Sequence, residues 1–162
     1  MDGVAVAPAG ELDQLLARVQ ELEDKQRLVS LLNRYVQTVD AFDWDAWGSC
    51  WTDDAVADFG KHARLHGRDA IVAASRDARG GYAARGGIQH VLVNLEFELD
   101  GDSAEGSGNL LFVGSMDSAA EPPDRAIGGR YRWVFKRGPD GWQIARAELH
   151  RAWSAGIDLR AS

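Results

Sequence analysis

The hydrophobic period of this chain changes once, near Gly87, and that change restricts the folds open to it. Before Gly87, apolar residues recur every three or four positions, which is the spacing of amphipathic helices. After Gly87 they alternate with polar residues or form short continuous runs, which is the pattern of β-strands. Helices followed by a run of strands indicate an α+β protein whose sheet packs back onto its helices.

The first half of the chain predicts one long helix and two shorter ones. Leucines and valines keep helical spacing from Leu12 to Val39, and the polar stretch 23–26 is a point where this helix could bend or break. Asp43 is a suitable N-cap for the second helix. The shorter elements are a second helix over 43–51, a first strand over 55–59 and a third helix over 70–76.

Four long strands are predicted in the second half, joined by turns and loops rich in glycine, aspartate and proline. We therefore predict a cone-shaped α+β fold, in which a strongly curved antiparallel or mixed sheet wraps around the long N-terminal helix. A cavity closed at one end would lie between this sheet and the helices. The predicted strands cover 88–99, 104–116, 130–136 and 142–153.

Composition indicates one folded domain and limits its partners. The 162 residues are 45% apolar, which suffices for a single core over 11–155, with a flexible tail at 1–10 and a second tail at 156–162. The net charge of −7 argues against nucleic acid or an anionic membrane as the main partner. No segment approaches the roughly 20 apolar residues of a membrane span. Cys50 is the single cysteine, which excludes an intrachain disulfide and favours a cytoplasmic location.

Asp40 and His90 stand out as a candidate catalytic pair. His90 interrupts an apolar strand, and Asp40 follows the apolar side of the long helix, where an unpaired carboxylate is costly. If the two side chains converge in one cavity, the aspartate would orient the imidazole as a general base. The alternatives are a core histidine bonded to a backbone carbonyl and an aspartate that caps the following helix.

Further segments add a family resemblance to this pair. The long helix, the tryptophan-rich turn after it, the histidine-bearing strand and the Gly-Trp hairpin are together similar to the SnoaL-like branch of the nuclear-transport-factor-2-like superfamily. The resemblance covers about 24–153. The segments that carry it are 31–35 with 39–40, 47–55, 65–71, 89–95, 128–131 and 140–144.

Within that superfamily, the chain resembles the members with an Asp–His dyad, the group of scytalone dehydratase, bile-acid 7α-dehydratase and hexachlorocyclohexane dehydrochlorinase. Asp40 and His90 match the dyad, and Tyr35 matches a tyrosine of the bile-acid dehydratase type. The resemblance implies a cofactor-independent lyase that eliminates a small group from a cyclic or aromatic small molecule. An isomerase, a polyketide cyclase and a non-catalytic ligand-binding module stay open as alternatives. The resemblance also implies a homo-oligomer, dimer or trimer, built through the outer sheet face.

Four side chains on predicted core elements are candidate substrate ligands. Trp51 and Trp133 could line a pocket for a flat ring, although tryptophan is more often a core residue. Asn94 and Asn109 stand where apolar strand residues are expected. Each could bind a substrate oxygen or mark a bulge or strand edge.

The last predicted strand offers a further candidate, and two earlier histidines do not. His150 and Arg146 share one face of that strand and Arg151 lies on the other, so one of them could reach the cavity mouth and bind a carbonyl or an anion. His62 and His66 are four residues apart, but no third metal ligand is evident. Nucleotide-binding and nucleophile-elbow motifs are also missing from the sequence. We therefore predict a small-molecule substrate, no metal and no cofactor.

Overall fold

The long amphipathic segment forms one continuous helix, α1 (Ala9–Asp40), in the computed structural model, which describes residues 9–60, 64–117 and 123–156. The second half of α1 buries its apolar stripe, and Leu28 there is completely inaccessible. Burial of each such side chain stabilises the folded state by about 1.5–3 kcal/mol. In the first half the stripe stays exposed. Its members are Leu12, Leu15, Leu16, Val19 and Leu22, each 49–67% exposed.

No break occurs at 23–26, because Asp24 anchors α1 to the far end of the chain. Both carboxylate oxygens of Asp24 accept hydrogen bonds from Arg137, at 2.8 and 2.7 Å, and one also accepts from the indole of Trp142 at 3.2 Å. The Arg137 guanidinium lies over the Trp142 ring, 4.3 Å from its centroid. The hydrogen bonds from Arg137 hold the pKa of the Asp24 carboxyl far below its usual range, although burial opposes this shift.

Replacing Asp24 by Ala should lower the free energy of unfolding by about 3 kcal/mol, because buried Trp142 and half-buried Arg137 would lose their shared acceptor. Glu23→Ala is the matched control, since Glu23 makes only an exposed ion pair with Arg27 and should contribute about 0.5 kcal/mol or less. Urea unfolding of the three proteins measures both values. Equal losses in the two variants would show that Asp24 does not anchor the helix.

Short elements connect α1 to the long strands, and their bounds differ from the predicted ones, including a first strand that begins at Trp51 rather than at residue 55. The second helix, predicted over 43–51, ends at Gly48, because Trp51 pairs with Ile144 and begins a strand instead. The third helix, predicted over 70–76, is 18 residues long. These elements are α2 (Trp44–Gly48), β1 (Trp51–Asp58), β2 (Leu65–His66) and α3 (Arg68–Arg85).

Tertiary packing explains the length of α3. Gly80 and Gly81 lie within it, although each glycine costs a helix about 1 kcal/mol relative to alanine. Beyond them, Tyr82 is buried and packs edge-on against Phe112, with ring centroids 6.2 Å apart. The packing of Tyr82 on Phe112 therefore outweighs the low helix propensity of the two glycines.

The predicted run of four long strands is confirmed, and it forms a six-stranded sheet with β1 and β2. The strand order is β2-β1-β6-β5-β4-β3, and β1 runs parallel to β6 while all other neighbours are antiparallel. The sheet is therefore mixed, and it curves around α1, which packs mainly on β3. The predicted α+β cone is confirmed. The long strands are β3 (Gly87–Asp100), β4 (Ser103–Ser115), β5 (Arg125–Gly138) and β6 (Gly141–Gly156).

A bulge at Asn94 bends β3 and changes which of its residues face the core. The pairing of β3 with β4 shifts between Val93 and Glu96. His90 is inward before the bulge, and Leu95 packs against the core after it, so the inward positions change from even to odd numbers. Asn94 itself has φ of 55°, a left-handed conformation that asparagine adopts more readily than most residues. The extra residue lets one strand keep its apolar side chains inside while it curves.

The predicted tails at 1–10 and 156–162 lie outside the described residues, apart from Ala9 and Gly10, which begin α1, and Gly156, which ends β6. Among the helices that the structure describes, none is both long and apolar enough to cross a bilayer.

Candidate functional site

Asp40 and His90 form a two-point contact between the end of α1 and strand β3. The Asp40 Oδ1 atom lies 2.6 Å from His90 Nδ1, and Oδ2 accepts a 2.9 Å hydrogen bond from the His90 backbone N–H. Because an ionised carboxylate only accepts, His90 Nδ1 carries the proton in the neutral ring and Nε2 keeps its lone pair. The contact therefore fixes both the orientation of the imidazole and its tautomer.

The surroundings of His90 keep its ring neutral. His90 is 8% exposed, and the Phe112 ring packs edge-on against it at 4.9 Å. Burial lowers the pKa of His90 below its ordinary value, the Arg79 charge lowers it further, and the hydrogen bond and charge of Asp40 oppose the change. At neutral pH, Nε2 is therefore free to accept a proton.

The lowered pKa of His90 predicts a stability loss on mild acidification. In the unfolded chain the histidine pKa is about 6.5. Just below that pH, the unfolded chain therefore binds a proton that the folded His90 does not bind. The contribution of neutral His90 to the free energy of unfolding is thus complete above about pH 6.5, and it is lost as the pH falls through the lowered pKa of the folded state. Urea unfolding at several pH values should show this decline in the wild type, and His90→Gln should flatten it. His66→Gln, which changes an exposed histidine, should leave the decline intact; the reverse pattern would contradict the assignment.

Tyr35 lies five residues before Asp40 on α1 and faces an aromatic cluster. It is 2% exposed, and its ring centroid lies 5.5 Å from that of Trp47 and 5.8 Å from that of Trp51. Burial raises the pKa of the Tyr35 phenol, and its neighbour Tyr131 raises it further. The hydroxyl therefore stays protonated and can act as a hydrogen-bond donor.

Tyr131 connects this cluster to Trp133, and the sequence did not single it out. The two rings stack with centroids 4.9 Å apart and planes 17° apart. Burial also raises the pKa of the Tyr131 phenol. Tyr131 and Trp133 share the inward face of β5, so the period of two on that predicted strand was the signal that could have identified Tyr131.

The indole N–H groups of Trp51 and Trp133 are buried, and neither has a hydrogen-bond partner among the described residues. The same is true of Trp47. Buried donors in proteins are nearly always satisfied, so each of these three indoles has unused capacity to donate a hydrogen bond to an acceptor atom. The structure thus brings Tyr35 and Trp51 together directly, and joins Trp133 to them through Tyr131.

The remaining candidates lie apart from this cluster. Asn94 is exposed at the bulge, and Asn109 occupies the outward position between two buried residues of β4. His150 is exposed on β6, and so is Arg146. Arg151 differs, because its Nε atom is buried and has no hydrogen-bond partner in the described parts of the chain. Of the polar residues considered on the last strand, Arg151 is therefore the one with a buried polar atom that lacks a hydrogen-bond partner among the described residues.

Two open grooves lie away from the pair. One, of about 500 Å³, crosses the sheet beside Glu98 and Arg132, and the other, of about 420 Å³, lies between α2 and α3 beside Arg76. Neither groove is lined by Asp40 or His90; His90 is buried and Asp40 is partly exposed. No cluster of three metal-ligating side chains occurs among the described residues, which do not include His62.

Comparisons with known proteins agree with this frame. The model of the SnoaL-like domain family matches residues 20–148. An NTF2-like protein with a cystatin-like fold from Novosphingobium aromaticivorans is 27% identical, with a TM-score of 0.72 over 95% of each chain. No curated protein matches the sequence.

Two further solved structures are similar at lower identity. One is a Novosphingobium aromaticivorans protein that carries a provisional scytalone dehydratase name, with 17% identity and a TM-score of 0.75 over 88% of this chain and 93% of that one. The other is ActVI-ORFA from Streptomyces coelicolor, with 17% identity and a TM-score of 0.70 over 79% of this chain and 96% of that one. At these identities the likeness concerns the fold.

Proposed function

This chain belongs to the SnoaL-like domain family, and from that premise we propose that it is a cofactor-independent lyase. The reaction is elimination of water, or of a comparable small group, from a cyclic or aromatic small molecule. The observation that carries the proposal is the 2.6 Å contact between Asp40 and His90, which orients a buried, neutral imidazole. The provisional name of one structural relative is consistent with this activity.

His90 acts first as the base and then as the acid. Its Nε2 atom takes a proton from a carbon next to a carbonyl, and the electron pair of the broken C–H bond moves toward the new double bond. Asp40 stabilises the imidazolium that forms, because its negative charge lies against Nδ1. The imidazolium then gives the proton to the departing hydroxyl, which leaves as water and restores neutral His90. No proton or electron is left over.

Tyr35 and the tryptophans hold the substrate. The Tyr35 hydroxyl keeps its proton, so it assists by donating a hydrogen bond to the leaving group or to the carbonyl. The rings of Trp51 and Trp133 offer flat apolar surface and unpaired N–H donors, which suits a ring that bears oxygen substituents. Asn94, Asn109 and His150 have no role in this scheme.

Proton exchange and product mass test the proposal together. Cyclic β-hydroxyketones with one or two rings are incubated with the protein in heavy water, and the reaction is followed by NMR and mass spectrometry. We expect loss of the proton next to the carbonyl and loss of one water from the mass. A product that keeps its water, and is heavier than the substrate only by the deuterium taken up, would indicate an isomerase or a cyclase instead. Binding without exchange across the panel would indicate a ligand-binding module.

A further inference from the structure

Arg79 brings a positive charge to the interior side of α3. The inward face of this helix carries Ile71 and Ser75, both buried, and later Tyr82. Arg79 is one turn after Ser75 and three residues before Tyr82, so it belongs to the same face. Tyr82 packs on Phe112, and Phe112 packs on His90. Arg79 thus lies on the side of α3 that faces the proposed base.

The guanidinium of Arg79 is incompletely bonded. Its Nη1 atom donates to the backbone carbonyl of Ser75, at 3.3 Å, within the same helix. Its Nε atom is buried and has no hydrogen-bond partner among the described residues. No carboxylate of the described chain forms an ion pair with it. A buried guanidinium N–H without an acceptor is costly, and an anionic oxygen is the acceptor that it binds most strongly.

The charge of Arg79 acts on three buried groups at once. It lowers the pKa of His90 and the pKa values of the Tyr35 and Tyr131 phenols, although burial is the largest influence on all three. The field of the guanidinium therefore reaches the base and both hydroxyls. Negative charge that develops between these groups is stabilised by the same field.

We propose that Arg79, with the Tyr35 hydroxyl, binds the oxygen on which negative charge develops when His90 removes a proton from carbon. The substrate is then a ketone or another carbonyl compound that can form an enolate, and its carbonyl oxygen points toward α3. This inference rests on the proposed function and adds a binding site for the oxyanion. Arginine suits this role because it stays charged at every physiological pH.

A coloured phenol tests the oxyanion site without any turnover. 4-Nitrophenol resembles an enol, its anion is yellow, and 4-nitroanisole is a neutral control of similar shape. We expect the wild-type protein to bind the phenolate more tightly than the anisole and to increase the ionised fraction of bound nitrophenol. Arg79→Gln should weaken phenolate binding by about tenfold or more and leave anisole binding unchanged. Arg79→Lys, which keeps the charge, should retain part of the preference and shows that the site folds.

Arg76→Gln is the matched control, because Arg76 is exposed one turn earlier on the same helix. It should bind the phenolate like the wild type. Phenolate affinity that is equal in wild type and Arg79→Gln, or a wild type without preference for the phenolate, would overturn the inference. The two proposals fail separately. Exchange of substrate protons without an Arg79-dependent phenolate site removes only the oxyanion site, and an Arg79-dependent site without exchange removes only the lyase.

Discussion

Replacing His90 by Gln should lower turnover by roughly 10²–10⁴-fold while the protein stays folded, because the variant keeps a side-chain donor for Asp40 but has no group that accepts a proton at neutral pH. Product mass measures the elimination, and the rate of deuterium exchange measures the first step alone. Both rates should fall together, since one nitrogen acts as base and then as acid.

His66→Gln serves as the control, because it removes an exposed histidine remote from the pair. Circular dichroism and urea unfolding verify that both variants are folded. A folded His90→Gln protein with near-wild-type turnover would show that the histidine is only a core residue held by Asp40.

Replacing Asp40 by Asn should cost roughly 10²–10⁴-fold in turnover, although the side chain keeps its shape. The amide carries no charge to stabilise the imidazolium. Its NH₂ group can also donate to His90 Nδ1, which would move the ring proton to Nε2 and block the base. Nitrogen NMR of the imidazole reports this tautomer directly, so loss of rate can be separated from loss of structure.

Asp45→Asn is the control for Asp40, since Asp45 is exposed on the neighbouring helix α2. The double variant Asp40→Asn/His90→Gln should be about as slow as His90→Gln alone, because the aspartate acts through the histidine. Strictly multiplicative losses would mean that Asp40 contributes to the reaction by a separate route.

Hydrophobic periodicity in the sequence was enough to single out Asp40 and His90 as candidate site residues. Asp40 at the end of an apolar helix stripe and His90 within an apolar strand are visible as exceptions to a periodic pattern, and the fold confirms the α+β cone that brings those elements together. The 2.6 Å contact itself depends on the pairing of β3 with β4 and on the packing of β3 against α1, which no local pattern encodes.

The parts that escaped prediction depend on packing between distant segments. The sequence predicted that the third helix ends at residue 76, which placed Arg79 outside any helix. In the structure, the packing of Tyr82 on Phe112 extends α3 past Arg79. Likewise, Trp51 was predicted to end the second helix, but its pairing with Ile144 places it in β1. In both cases a tertiary contact decided between two locally acceptable conformations.

The parallel pairing of β1 with β6 joins segments that are far apart in the sequence, so we expect it to form late in folding. Trp51 and Ile144 are neighbours in the sheet although more than half of the described chain separates them, and closing so long a loop is slow. The hairpins β3–β4 and β4–β5 are local and form without that delay. We therefore expect His90 to occupy its strand before Trp51 packs beside Tyr35. The aromatic surroundings of Tyr35 depend on the long-range pairing of β1 with β6, whereas the strand that carries His90 depends on a local hairpin.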